Sequence, residues 1–325
     1  MMLLQVQDLT SSFRTREGKT LRALNAVSFN LAKGEVLGIV GESGCGKSTL
    51  AKSVLRLIGV ERGSVRFHGQ DVMRMSKAEL QRARQRMQIV FQDPFGSLNP
   101  RHTIGKIIRE PLQVHGVGSA HEQQLRVVEL LERVGLSGDV QTRHAHEFSG
   151  GQRQRIAIAR ALALQPELLV ADEAVSALDV SVQSQIINLI TELQAELGLS
   201  LLFISHDLSV IRHVSDRIAV MYLGRIVEIG EARAVMNQPQ HPYTRALISA
   251  IPSLSTKHAQ RIVLQGELPD PTDPPAGCSF QTRCPQVHEQ CLRQRPELKA
   301  VVAITDNRNL QATHLSACHL NETTP

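Results

Sequence analysis

Residues 36–50, VLGIVGESGCGKSTL, limit more than any other stretch what this chain can fold into. Val36 to Val40 form an apolar run that reads as a buried strand. Gly41, Gly44 and Gly46 make the loop behind it glycine-rich, and good helix formers follow. The spacing Gly41-x-x-x-x-Gly46-Lys47-Ser48 is that of a phosphate-binding P-loop. Glycine is needed because successive N–H groups must turn inward, and a Cβ would obstruct an approaching phosphate. The helix beginning near Lys47 adds its positive end to the same anion site. Lys47 is expected to reach β- and γ-phosphates and the Ser48 hydroxyl to ligate Mg²⁺. Ser43, Cys45 and Thr49 belong to the same nucleotide-binding stretch.

At 325 residues the chain has ample length for a core, in one large domain or two. Its net charge of +5 is compatible with an anionic ligand or a membrane surface, but a solvated, mildly basic surface accounts for it more simply. Only 3% of residues are aromatic and none is Trp, so there is little to stack bases, and no nucleic-acid partner is expected. No apolar stretch approaches the roughly 18 residues that cross a bilayer. The first residues lack the charged region and cleavage site of a signal peptide, and a soluble, cytosolic chain is expected.

Residues 2–9 and 23–31 read as strands, the second from the alternation of Val27, Phe29 and Leu31 with Ser28 and Asn30. Strands are also expected over 64–68, 87–91, 167–171 and 201–204, with a hairpin over 218–229 turning at Gly224. Helices are expected over 122–134, where Leu125, Val128, Leu131 and Val134 recur at three-residue steps, and over 151–164, 182–197 and 243–251. Alternating strands and helices predict an α/β fold with a mostly parallel sheet, joined by an antiparallel β subdomain near the N-terminus. A helical subdomain is expected over about 95–155, and residues 238–242 (QPQHP) break the pattern. The chain divides on this reading into residues 1–237 and a small C-terminal lobe, 238–325, that contains most of the cysteines.

Two further stretches carry chemistry. Residues 168–172, LLVAD, are an apolar strand ending in Asp172, with Glu173 next. Opposite a P-loop, Asp172 suits Mg²⁺. Glu173, one residue past the strand, suits a base that polarises water, a role worth about 10²–10⁴ in rate; the plainer reading of the pair is a polar loop. Phe148-Ser149-Gly150-Gly151-Gln152 precedes a helix, with Ser149 as its N-cap and a second anion site behind it. Such a site is redundant within one P-loop domain. It makes sense if it closes on the nucleotide of another subunit.

With these residues in view the chain resembles the ATP-binding-cassette (ABC) ATPases. Residues 148–152 match that family's signature, with Phe148 where Leu is commoner. Ser176-Ala177-Leu178-Asp179 match its D-loop, Ser205-His206-Asp207 its switch-histidine segment, and Gln92 its Q-loop. The motifs run in the family's order over residues 1–235. The resemblance implies a P-loop ABC ATPase core with ATP and Mg²⁺ as cofactors. It implies two cassettes dimerising head to tail, each ATP lying between one P-loop and the partner's Ser149, Gly150, Gly151 and Gln152. Glu173 and His206 are then catalytic, Asp179 joins the nucleotide site, and Ser48, Gln92 and Asp172 surround Mg²⁺. Phe13 falls where the family places an aromatic on adenine, with a plain core Phe as the alternative. Ala174-Val175 stand where the family commonly has Pro-Thr, and activity is expected to persist.

Residues 92–101 (QDPFGSLNPR), 241–247 (HPYTRAL) and 266–269 (GELP) narrow the resemblance to the ATP-binding subunits of bacterial dipeptide/oligopeptide importers. This implies two transmembrane permease subunits, a second related ATPase forming a heterodimer, and an extracytoplasmic solute-binding protein. It implies a peripheral place on the cytoplasmic face of the bacterial inner membrane. Importers of nickel, metallophores and other small solutes share this subfamily and are the alternative. A non-transport ABC ATPase, an exporter and an unrelated P-loop kinase or GTPase each leave more of the motifs unused.

Five cysteines in a chain expected in the cytosol argue against structural disulfides. Four of them, Cys278, Cys284, Cys291 and Cys318, fall in the C-terminal lobe. Their intervals exceed the about two to four residues usual between paired zinc ligands. Irregularly spaced thiolates are compatible with an iron–sulfur cluster, and the resemblance implies a [4Fe–4S] cluster on these four. Zinc, with His288 or His319, and four buried thiols without metal are the alternatives.

Overall fold

The computed structural model describes residues 2–251, 262–304 and 312–321. Parts of the expected C-terminal lobe, at 252–261, 305–311 and 322–325, lie outside the described residues. β1 (Met2–Arg14) and β2 (Thr20–Ala32) run past the apolar stretches that predict them and include the polar residues at their ends. β3 (Val36–Val40) leads through the P-loop into α1 (Lys47–Val54). β4 (Arg62–Phe67) and β5 (Gln70–Asp71) pair antiparallel and complete a four-stranded sheet of order β2-β1-β4-β5.

Two compact units result, one built mainly of residues 66–204 and the other of residues 5–29, 36–65 and 205 onward. The first contains α2 (Lys77–Arg86), β6 (Met87–Val90), α3 (Pro94–Ser97), α4 (Ile104–Val114), α5 (Ala120–Arg133), α6 (Gly150–Leu162), β7 (Leu168–Asp172), α7 (Val180–Leu197) and β8 (Ser200–Ser205). β6 pairs parallel with β7 and β7 with β8, in the registers Val90↔Ala171 and Asp172↔Ile204. β7 is buried at every position, as a strand covered on both faces must be, which is why it reads as a continuous apolar run.

The helix α5 lies where the sequence predicts it, but its buried face is Gln123, Val127, Leu130 and Leu131, while Leu125 is 57% exposed. Strict three-residue steps drift off a helix of 3.6 residues per turn, so they select the wrong edge of the stripe. α2 has no counterpart among the expected helices although its start is a capping box, Ser76 and Glu79 each accepting the other's backbone N–H.

In the second unit β3 pairs parallel with β9 (Arg217–Tyr222), in the register Val40↔Val220. α8 (Leu208–Val214) precedes β9, and β10 (Arg225–Glu231) follows it as the expected hairpin. The turn places Leu223 and Gly224 at φ 43° and 74°, the left-handed pair that a two-residue hairpin needs. After α9 (Ala232–Asn237), α10 (Pro242–Ser249) and α11 (Glu289–Arg293), the chain adds β11 (Lys299–Ile304) and β12 (Ala312–Ser316). β12 pairs antiparallel with both β11 and β10, so the free edge of β10 is covered. Among the described residues no helix is long and apolar enough to cross a membrane.

Candidate active site

The P-loop lies in the second unit, at the C-terminal end of the wholly buried β3. Two of its glycines are irreplaceable on space alone. A Cβ on Gly41 would meet the Met221 carbonyl oxygen at 2.3 Å, and one on Gly46, at φ +105°, the Ala23 carbonyl oxygen at 2.2 Å. Lys47 is buried and folds back over the loop, its Nζ donating to the carbonyls of Gly41 at 2.8 Å and Glu42 at 3.0 Å. Gly46, which has no side chain to cap with, stands at the N-cap of α1 in the left-handed conformation. Ser43 and Gly44 are exposed, Ser48 and Thr49 half-buried. Burial pushes the Cys45 thiol up and keeps it protonated. Phe13, near the end of β1, is 42% exposed and is therefore not a core residue. His206 is exposed and precedes Asp207, whose Oδ1 caps α8 by accepting the Ser209 N–H at 2.8 Å.

The first unit holds the carboxylates. Asp172 ends β7 almost fully buried, and Glu173 then turns into the left-handed region at φ 47°. Its N–H donates to the Ile204 carbonyl on the neighbouring β8 at 3.0 Å. The Ser176 N–H and hydroxyl close the turn on the Glu173 carbonyl at 3.1 and 3.0 Å. Gln92 follows β6 as Glu173 follows β7, and because those strands are adjacent and parallel their C-terminal ends meet. The Gln92 Nε2 donates to the Glu173 carboxylate at 3.1 Å. Carboxyl ends of parallel strands are where α/β sheets bind ligands. Ala174 and Val175, the departures from Pro-Thr, are buried and do not disturb this turn.

Ser149 is the N-cap of α6 in a reciprocal box: its hydroxyl accepts the Gln152 N–H at 3.4 Å and its own N–H donates to Gln152 Oε1 at 3.0 Å. A Cβ on Gly151 would meet Val182 Cγ1 at 2.4 Å, so α7 packs directly on the signature backbone. Asp179, exposed, stands at the start of α7. Phe148 is buried beneath the Arg143 guanidinium, 4.6 Å from its ring centre, which accounts for an aromatic where a leucine is commoner. The Ser48 hydroxyl, the Gln92 amide oxygen and the Asp172 carboxylate are each a hard oxygen ligand of the kind Mg²⁺ takes.

The expected iron–sulfur cluster is not borne out. Among the described residues no group of three or more His, Cys, Asp or Glu is arranged to hold a metal ion, which removes the cluster and the zinc alternative together. All four cysteines are free, with Cys291 buried and the others half-buried. Burial raises Cys278 and Cys318 to about 11, and the neighbouring cysteines push both in the same direction. Cys291 instead lies 3.3 Å from His288 Nδ1, and the Cys278 N–H donates to the Cys291 carbonyl at 2.8 Å. What sequence reasoning missed is the role of Arg283, between two of these cysteines, which pairs with Glu42 of the P-loop. No local pattern announces a partner 241 positions away.

Residues 24–176 match the family model described as ABC transporter, and residues 227–291 that described as oligopeptide/dipeptide transporter, C-terminal region. A putative peptide import ATP-binding protein of Brucella ovis is 52% identical over 300 residues, covering 92% of this chain and 94% of its own. The oligopeptide transport ATP-binding protein AppF of Bacillus subtilis is 49% identical, covering 98% and 97%. Among solved structures, the ATP-binding cassette MJ0796 in a dimeric post-hydrolysis state bound to ADP and Pi superposes with a TM-score of 0.64 at 29% identity. That match covers 71% of this chain and 99% of the cassette. CbiO1 of Clostridium perfringens, part of an ABC transporter complex, gives 0.64 at 29% identity over 73% and 91%.

Proposed function

The chain belongs to the ABC transporter family, in the group that carries the oligopeptide/dipeptide transporter C-terminal region, and we propose that it hydrolyses ATP to power import of di- or oligopeptides by a bacterial membrane complex. Residues 1–237 serve as the nucleotide-binding domain and 238–325 as the C-terminal region. ATP is taken up by the P-loop stretch Gly41 to Thr49, with Lys47 leaving its carbonyls for the phosphates and Phe13 against adenine. The cassette works head to tail with a second, related ATPase subunit, each Ser149 helix tip closing on the partner's nucleotide. Asp179 flanks that interface. Ser48, Gln92 and Asp172 would hold Mg²⁺, which would supply charge neutralisation at the phosphates. Glu173 accepts a proton from the attacking water, and His206 hydrogen-bonds the γ-phosphate. Two permease subunits and an extracytoplasmic solute-binding protein complete the assembly, with this subunit at the cytoplasmic face.

The observation that carries the hydrolytic reading is the Gln92 amide on the Glu173 carboxylate at the ends of two adjacent parallel strands. The contact sets the carboxylate at the carboxyl ends of the parallel strands, where sheets of this class bind ligands. The test is phosphate release by the assembled complex. Glu173→Gln is expected to retain ATP binding and lose about 10²–10⁴ in turnover, while Lys47→Ala loses most nucleotide affinity. Undiminished turnover in Glu173→Gln removes Glu173 as the base.

A further inference from the structure

Glu42, the residue after the first P-loop glycine, is held from three directions. Its carboxylate receives a two-pronged pair from Arg283, Nη1 to Oε2 at 2.7 Å and Nη2 to Oε1 at 3.0 Å. Its backbone N–H donates to the Tyr243 hydroxyl at 3.0 Å. Its carbonyl accepts from Lys47 Nζ at 3.0 Å. Two of these three holds come from the C-terminal region, and the third is the lysine expected to grip phosphate.

The two holding side chains are themselves fixed. The Arg283 side chain is 8% exposed and Tyr243 is fully buried. Tyr222, Tyr243 and Phe280 form a ring cluster with centroids 4.8–5.5 Å apart, and the Arg283 guanidinium lies over Tyr222. The start of α10, which carries Tyr243, is set by Glu228 on β10. That buried carboxylate accepts the N–H groups of Gln240 at 2.7 Å and His241 at 2.9 Å and meets His314 Nε2 of β12 at 2.7 Å. His241 Nδ1 in turn accepts the Tyr243 N–H at 3.1 Å. A continuous hydrogen-bonded path therefore runs from β12 through Glu228, His241 and Tyr243 to the backbone of the phosphate loop.

We propose that the C-terminal region is a clamp on the P-loop, with Arg283 and Tyr243 as positioning residues that hold Glu42 and thereby the Gly41–Glu42 carbonyls that cradle Lys47. A glycine-rich loop left free loses conformational entropy each time it closes on phosphate, and a loop fixed beforehand does not. The planar fork of Arg283 matches a carboxylate in a way a lysine cannot, so the hold is directional as well as electrostatic. The effect on ATP rests on the proposed function; the effect on the loop does not.

The test therefore begins without nucleotide, by amide hydrogen exchange on the full chain. Arg283→Ala is expected to speed exchange of residues 41–48 by about tenfold or more, Arg283→Lys by less, and β7 not at all. Equilibrium binding of a fluorescent ATP analogue should then weaken about tenfold in Arg283→Ala, and the exchanged pair Glu42→Arg with Arg283→Glu should recover part of both losses. Should Arg283→Ala fail to fold, Tyr243→Phe, which removes only the hydroxyl, decides on the same two readouts. Unchanged exchange in the P-loop, or acceleration spread evenly over the unit, overturns the clamp. A loosened loop in a chain whose wild type binds no ATP analogue leaves the clamp standing and refutes the nucleotide reading instead.

Discussion

At the scale of single residues, the chemistry depends on side chains whose surroundings fix one protonation or one direction. Glu173 occupies a left-handed backbone conformation that few non-glycine residues adopt. Its N–H bond to Ile204 and the Ser176 closure hold it there, so a strained turn sits beside the candidate base. His241 is the residue with the sharpest pH consequence. Burial lowers it to about 4, partly offset by Glu228 and reinforced by Arg245, against about 6.5 in an unfolded chain. The folded form binds fewer protons between those values, so stability is complete above pH 6.5 and falls as pH drops towards 4. Denaturant unfolding should show about 2 kcal/mol lost between pH 6.5 and pH 5 on this account. His241→Asn, which can still cap α10, should flatten that slope, and equal slopes in the two proteins refute the assignment.

Among the elements, α6 separates a structural role from a chemical one. Ser149 caps the helix, and Ser149→Ala should cost about 1 kcal/mol of stability for that reason alone. Ser149→Asp keeps a good cap but sets a negative charge where the partner's γ-phosphate is proposed to lie. It should unfold near the wild-type midpoint yet lose ATP hydrolysis in the complex; full hydrolysis in Ser149→Asp speaks against the signature role.

The elements also show how much was legible. β3, β7 and the hairpin at Gly224 lie within a residue or two of expectation because buried strands and left-handed turns leave strong local marks. Gln92 and Glu173 were each named from their motifs, but their contact depends on two parallel strands lying side by side, which no local window reports. The three-residue pattern misplaces the buried face of α5 because Leu125 is apolar and yet faces solvent.

Over the whole chain, the limit of the sequence is clearest in the C-terminal region. The family resemblance implies a metal on the four cysteines, whereas the described residues gather no donor set and leave the thiols free. The groups that matter there are Tyr243 and Arg283, set by Glu228 of β10, whose partners are distant in sequence and whose importance comes from burial. β12 likewise joins the sheet only because β10 presents an open edge, a consequence of topology with no signature of its own.

If this chain couples ATP hydrolysis to peptide entry, proteoliposomes carrying it with its permeases and solute-binding protein will take up peptide at the expense of ATP. ATP-dependent accumulation of a labelled peptide that disappears with Lys47→Ala is expected. Uptake undiminished by that substitution, or brisk ATP hydrolysis that moves no peptide, contradicts it.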